Sequence, residues 1–306
     1  MVFPGQGSQS VAMMKPYEEL PAVRDTFTEA SEALGQDLWK LVEQGPVEDL
    51  NLTQNTQPAM LAAGVAMLRA WRAAGGAAPS MLAGHSLGEY SALVAAGALE
   101  FGHAMRLVRF RAQCMQEAVP AGVGAMAAVL GLDDDLVRAA CAEASRNGES
   151  AEAANFNAPG QVVVAGHRAA VERAIELAKS KGAKRAMLLP MSVPSHCSLM
   201  KPAAERLRER LAGITVSAPA VPVYQNADVA PATGTQAIKD ALVRQLYQPV
   251  RWVDTIRAMI AAGATVVIEC GPGKVLAGLN KRIAPEATCL TLSDAKAMSE
   301  ALSAAG

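Results

Sequence analysis

The sequence predicts an α/β fold, and three observations carry that prediction. Short Val- and Leu-rich runs alternate with longer stretches of helical periodicity. Several of the short runs end on Gly or Pro, as strands do where they enter a turn. At 306 residues and 51% hydrophobic composition the chain can bury a sizeable core. Only 4% of the residues are aromatic, so that core must be aliphatic, filled by Ala, Val, Leu and 14 Met.

In chain order, Met1-Val2-Phe3 reads as the end of a strand running into Pro4-Gly5-Gln6-Gly7. Helical patterns follow over 17–35 and 57–74, the second opening at Thr56-Gln57-Pro58, since proline suits a first helical turn. Ser80-Met81-Leu82-Ala83 is a short buried strand, broken at Gly84 and followed by a helix from Gly88. Further strands are expected at 221–225 and 264–270.

The stretch 125–190 has an order of its own. A strand at 125–130 precedes a helix capped by Asp133. A strand at 152–156 is joined by Asn157-Ala158-Pro159-Gly160 to a strand at 161–165. A helix at 168–181 ends at Gly182, and a strand at 185–189 closes the unit. This is βαββαβ, the split-βαβ order of ferredoxin-like domains. It predicts a small domain over 123–190 inserted into a larger one formed by 1–122 and 191–306.

The formal net charge of -1 excludes a global attraction to nucleic acid or anionic membranes. An acidic partner would have to meet a local basic patch. The five cysteines are odd in number and scattered without a CxxC pair, which argues against a disulfide framework or a zinc site. No run of about 18 apolar residues is present, nor an export signal, so a cytoplasmic location is expected. Gly271-Pro272-Gly273-Lys274 lacks P-loop spacing, Gly5-Gln6-Gly7 lacks a dinucleotide fingerprint's third glycine, and no HExxH occurs. Neither a cofactor nor a metal is expected.

Gly84-His85-Ser86-Leu87-Gly88 matches G-x-S-x-G between a strand and a helix, the context in which that motif presents a nucleophilic serine. The alternative is a Gly-rich turn with an incidental serine. A serine needs a base, and four histidines are available: His85, His103, His167 and His196. His85 should point away at so tight a turn, and His103 and His167 are most simply surface residues. His196, in the non-helical Val193-Pro194-Ser195-His196-Cys197, is the candidate base by elimination.

The helix over 102–118 carries a second signal. At 100° per residue Ala104, Leu107, Val108, Cys114, Met115 and Ala118 share one face, and Arg111 lies in its middle. A guanidinium does not enter a core unpaired, because it cannot shed its proton. Arg111 therefore either forms a buried ion pair with a protein carboxylate or lines a pocket for an anionic ligand. A serine nucleophile beside it favours an acyl group that carries a free carboxylate.

Seven ordered segments together resemble the malonyl-CoA:acyl-carrier-protein transacylases and the related acyltransferase domains of polyketide synthases. They are Phe3-Pro4-Gly5-Gln6-Gly7-Ser8-Gln9, Gly84-His85-Ser86-Leu87-Gly88-Glu89-Tyr90-Ser91, Met115-Gln116-Glu117-Ala118-Val119-Pro120, Asn155-Phe156-Asn157-Ala158-Pro159-Gly160-Gln161, Val193-Pro194-Ser195-His196-Cys197, Leu246-Tyr247-Gln248-Pro249-Val250 and Gly271-Pro272-Gly273-Lys274-Val275-Leu276. The resemblance spans nearly the whole chain.

It implies an α/β-hydrolase-like large domain carrying the ferredoxin-like insertion. It implies Ser86 as nucleophile, His196 as general base, and the backbone N–H groups of Gln6 and Leu87 as oxyanion hole. Arg111 would hold the malonyl carboxylate, the Gln245 carbonyl would orient the histidine, and Gln161 would border the substrate cleft. Members usually begin with a few more residues that complete the first strand, so the positioning of Gln6 rests on a short one here.

The implied partners are malonyl-CoA and acyl carrier protein, met by a monomer through a basic rim at Lys184, Arg185, Lys274 and Arg282. Polyketide relatives that choose methylmalonyl often carry Ser before the histidine, as Ser195 stands here, so a polyketide-type acyltransferase is the first alternative. A serine esterase is the second. Esterases of that class place their histidine late in the chain, whereas no histidine follows His196. If only the Gln245 carbonyl matters, Gln245→Ala should retain most activity.

Overall fold

The computed structural model describes residues 1–191 and 193–305. Among them nine strands form two sheets. They are β1 (Val2–Phe3), β2 (Leu82–Gly84), β3 (Gly124–Leu130), β4 (Ala151–Ala158), β5 (Gln161–His167), β6 (Arg185–Leu188), β7 (Val223–Tyr224), β8 (Val266–Glu269) and β9 (Thr288–Thr291). The fold is mixed α/β: one sheet is parallel in every pairing, in the order β7-β2-β1-β8-β9, and the other antiparallel, in the order β4-β5-β3-β6.

The parallel sheet is buried, as parallel sheets are when helices cover both faces. Val2 and Phe3 of β1 are completely buried, and the helix Thr53–Ala73 beside them is buried along almost its whole length. Strand order reverses at β1, with β2 on one side and β8 on the other. A crevice at the C-terminal ends of such strands is the expected place for a ligand. Ser86 follows β2 there, and Gln6 follows β1.

In the antiparallel sheet the two-residue alternation of side chains divides each strand between two buried faces. Ala127 and Val129 of β3 and Val162 and Val164 of β5 pack against the helices Asp134–Ala144 and Arg168–Ser180. Met126, Val163 and Ala165 face the opposite way, toward Cys197, Leu189 and Met191. Backbone bonds from Phe156 N–H to the Val250 carbonyl and from Val250 N–H to the Ala154 carbonyl, both 2.9 Å, tie β4 to the segment leading into the helix Trp252–Ala261.

Most expected elements lie within a residue or two of the observed ones, and the differences have physical causes. The helix expected to open at Thr56 begins at Thr53, so Pro58 stands inside it. There proline lacks the N–H that would bond the carbonyl four residues back, and burial of the surrounding face outweighs that loss. The short helices Leu38–Gln44 and Val47–Asn51 and the edge strand β9 had no periodicity long enough to announce them. Pairing of β9 with β8 is a long-range contact that four residues cannot encode alone. No helix among the described residues is long and apolar enough to cross a membrane.

Candidate active site

The strand-to-helix turn after β2 is the centre of the site. A Cβ on Gly84 would run into the backbone of Gly88 and Glu89, and one on Gly88 would meet the Phe3 carbonyl, so both flanks must be glycine. Between them Ser86 adopts φ 52°, a left-handed conformation that non-glycine residues avoid. The helix Gly88–Ala95 starts immediately beyond.

The Ser86 hydroxyl lies 2.7 Å from His196 Nε2, and His196 Nδ1 lies 2.7 Å from the Gln245 carbonyl oxygen. A carbonyl only accepts, so Nδ1 carries the proton and Nε2 is left to accept the serine's. Gln245 ends the helix Thr235–Gln245. In a longer helix its carbonyl would accept from the N–H of residue 249, but that residue is proline and has none. The carbonyl is thus free for the histidine. No Asp or Glu among the described residues pairs with His196.

Burial pushes His196 down from the ordinary histidine value to about 3, and the nearby Arg111 guanidinium adds to the push, while the Gln245 carbonyl opposes it. His196 is therefore neutral at physiological pH and able to accept a proton. An exposed histidine protonates near 6.5. As pH falls from there toward 3, the unfolded chain takes up a proton that the folded one does not, so this residue lowers stability across that window. The acid limb of kcat/KM is expected well below 6.5 in a pH–rate profile. A limb at 6.5 would show instead a base open to solvent.

Arg111 is 1% exposed, and its partners are two neutral carboxamides. Nη1 donates to Gln57 Oε1 and Nη2 to Gln245 Oε1, each at 2.9 Å, and Nη2 also reaches Ser86 Oγ at 3.4 Å. The guanidinium lies 5.5 Å from the Tyr90 ring centroid. No carboxylate among the described residues forms an ion pair with it, which overturns the buried ion pair as its explanation. Its direct hydrogen-bond partners are neutral, and the buried Glu89 carboxyl acts on it through space without forming an ion pair. Glu89 is fully buried in the adjoining helix, and burial pushes its carboxyl up to about 7.

These groups open onto a cavity of about 290 Å³. Its polar floor is Ser86, His196, Arg111 and Gln57, and its apolar walls include Met115, Met126, Val163 and Leu189. Gln6 and Leu87 line it as well, and among the described residues neither backbone N–H has a protein acceptor. Two free donors beside a nucleophile are what a tetrahedral oxyanion requires.

Two expectations are corrected. Gln161 does not border the cavity: it opens β5, and its Oε1 accepts from Arg282 Nη1 at 2.6 Å. A motif position next to a turn served the turn, because Arg282 also binds the Pro159 carbonyl at 2.8 Å and locks it. His85 does not point away: it lines the cavity, with Nε2 2.7 Å from Asn157 Oδ1 and its ring 5.5 Å from that of Trp252. The left-handed Ser86 bends the chain so that both neighbours reach the same crevice. His103 is exposed, and His167 Nδ1 accepts from Ser150 N–H at 3.0 Å.

Sequence reasoning missed Gln57, Asn157 and the side chain of Gln245. The last binds Arg111 through Oε1 and donates from Nε2 to the Ser86 carbonyl at 3.0 Å. Gln57 was detectable as a polar residue at the head of an apolar helix. Because the Gln245 side chain holds both Arg111 and the serine, Gln245→Ala is now expected to lower acyl-transfer kcat about tenfold. Gln245→Pro, which also disturbs the carbonyl, should lower it further in the same assay. Full activity of Gln245→Ala would leave only the carbonyl in play.

Among the described residues no cluster of His, Cys, Asp or Glu could hold a metal ion. What the residues present together is a base-linked serine, two free N–H donors and a buried guanidinium with no ion-pair partner among the described residues, the equipment of an enzyme that moves acyl groups. The sequence profile described as acyl transferase domain matches residues 1–291, and the chain belongs to that family.

Its relatives narrow the class. It is 57% identical over 302 residues to the malonyl CoA-acyl carrier protein transacylase of Escherichia coli K12, covering 98% of this chain and 97% of that one. The crystal structure of an acyl-carrier-protein S-malonyltransferase from Burkholderia pseudomallei 1710b superposes with a TM-score of 0.97 at 60% identity, covering 99% of this chain and 98% of that one. A type II polyketide acyl-carrier protein in complex with its malonyl-transacylase is matched with a TM-score of 0.97 at 51% identity, over 99% of this chain and 98% of that one.

Proposed function

We propose that the protein transfers a malonyl group from malonyl-CoA to the phosphopantetheine thiol of acyl carrier protein, supplying fatty-acid elongation. The observation that carries this reading is Arg111, a buried guanidinium fixed by Gln57 and Gln245 within 3.4 Å of the Ser86 hydroxyl. An acyl group bound to that serine puts its own free carboxylate against a guanidinium that has no ion-pair partner among the described residues, where a bidentate pair is favoured.

His196 Nε2 takes the Ser86 proton as Oγ attacks the thioester carbonyl. The resulting oxyanion is met by the N–H groups of Gln6 and Leu87. Collapse breaks the carbon–sulfur bond, and the CoA thiolate leaves with the proton from Nε2, giving a malonyl-serine ester. In the second half the carrier's thiol gives its proton to Nε2 and attacks the ester; collapse breaks the bond from the acyl carbon to Oγ, and Nε2 returns the proton to Ser86. Side chains and backbone groups carry every step, and the reading includes no cofactor.

The large unit, 1–122 with 191–306, is read as α/β-hydrolase-like and the unit 123–190 as a ferredoxin-like insertion. The β4-β5-β3-β6 order with two helices on one face supports the second reading. The enzyme is read as a cytoplasmic monomer. Lys184, Arg185, Lys274 and Arg282 are exposed and suit an acidic carrier protein, although Arg282 is also engaged by the β4–β5 turn. Ser195 lines the cavity, which keeps methylmalonyl the second substrate to try. A serine esterase is disfavoured by the carbonyl, in place of a carboxylate, behind His196.

The test mixes the protein separately with malonyl-CoA, acetyl-CoA and methylmalonyl-CoA, then adds holo carrier protein and follows both masses. One malonyl adduct that passes to the carrier faster than to water is expected. Hydrolysis outrunning transfer would make the protein an esterase, and preferential methylmalonyl loading would make it the polyketide type.

A further inference from the structure

The residue after Gln225 does more at this site than its place in an edge loop suggests. Asn226 is 1% exposed and follows β7, the strand that flanks β2. Its Oδ1 accepts from the Ser86 N–H at 2.6 Å, and its Nδ2 donates to the Gly84 carbonyl at 2.6 Å. One carboxamide therefore spans the backbone on both sides of His85. Asn226 is itself held at both backbone groups: its N–H donates to Glu89 Oε2 at 2.9 Å, and its carbonyl accepts from the Arg251 N–H at 3.3 Å.

We propose that Asn226, anchored by Glu89, is a positioning residue that clamps the nucleophile turn and aims the Ser86 hydroxyl at His196. The inference rests on reading Ser86 as the nucleophile.

Its physical basis is the end of the β2–β7 ladder. The backbones pair as far as Ala83 and Tyr224. Beyond that β2 must leave the sheet to make the turn, and its next N–H and carbonyl would be buried without partners. Asparagine offers an acceptor and a donor on separate atoms of one short planar amide, so that amide continues the ladder in place of a backbone. The same two bonds oppose relaxation of Ser86 from φ 52° toward negative φ. Such a relaxation would swing Cβ and carry Oγ away from His196 Nε2. They also occupy the Ser86 N–H, which leaves the Leu87 and Gln6 N–H groups to face a reacting carbonyl.

Glu89 joins the clamp to the first turn of the following helix, so strand end, serine and helix start meet at one residue. Arg111 contacts neither Asn226 nor its bonds. Because Arg111 keeps its bonds to Gln57 and Gln245 when the clamp is lost, the clamp should act mainly on the reactivity of the serine and leave the acyl preference in place.

The experiment is the rate of malonyl loading from malonyl-CoA on full-length protein, expressed per folded molecule with the folded fraction read by circular dichroism. Asn226→Ala is expected to lower kcat about 10²-fold, the scale of a misplaced reacting atom, with KM within about twofold. The malonyl-to-acetyl ratio should match that of the wild type. A folded Asn226→Ala protein with wild-type kcat overturns the proposal, as does one that loses its acyl preference in step with its rate.

Asn226→Asp carries the test if the alanine variant does not fold. Its introduced carboxyl can make both bonds while protonated. On ionising it loses the donor to the Gly84 carbonyl and faces Glu89, with Asp228, Arg111 and Arg251 as the other charges nearby. Its kcat should fall with rising pH relative to the wild type, and a profile parallel to the wild type overturns the clamp. Absence of Ser86 labelling in the wild-type protein would instead remove the nucleophile reading itself.

Discussion

Replacing Ser86 by alanine is expected to abolish covalent malonyl loading and to lower transfer by about 10⁴-fold or more, the scale on which removal of a serine nucleophile acts. The variant loses the 2.7 Å bond to His196 and the 3.4 Å contact with Arg111 but no apolar packing. The clamp on its backbone persists, because the Ser86 N–H and the Gly84 carbonyl are unchanged. Stability should therefore stay within about 1 kcal/mol of the parent. Intact-mass measurement after incubation with malonyl-CoA checks it: one malonyl increment on the parent, none on Ser86→Ala. An adduct that persists in the variant would place the acyl group on another residue.

Arg111→Ala is expected to reverse the acyl preference rather than merely slow the enzyme. Loss of a charge-assisted contact with the substrate carboxylate is worth about 1.5–3 kcal/mol, roughly tenfold or more in kcat/KM for malonyl-CoA. Acetyl-CoA has no carboxylate to lose. In its case the guanidinium is a liability, since a positive charge beside Ser86 with no substrate carboxylate to meet holds down the basicity of His196. A malonyl carboxylate cancels that charge, and the alanine substitution removes it, so acetyl transfer should be spared or rise.

The ratio of the two kcat/KM values is the quantity to measure. The substitution leaves Gln57 and Gln245 without their partner and will cost stability, but a smaller folded fraction scales both rates equally. Equal losses for the two substrates would make Arg111 a structural residue.

What could be read in the linear chain has a common character. Alternation of strand and helix, the βαββαβ order, the buried face of the helix Phe101–Ala118 and the glycine-flanked serine are all local patterns. Arg111 stood out because a charge within an apolar stripe has few physical explanations, and choosing between them needed its partners. Those proved to be carboxamides from residues 54 positions before it and 134 after it. His196 was reached by elimination. The same elimination misjudged His85, because a turn that uses a left-handed residue no longer alternates its neighbours.

The sequence by itself determined many of the elements and which residues could react, because hydrophobic period, turn chemistry and the scarcity of histidine act over short stretches. Only the tertiary structure decided how those residues cooperate. Gln245 added two side-chain bonds to its expected carbonyl one, Gln161 left the site for a turn, and Asn226 reached across 140 positions to brace the serine. The reason is that a carboxamide carries no charge and no periodicity to mark it in the chain. Its part in the site is set by which buried donors and acceptors the folded backbone leaves unpaired around it.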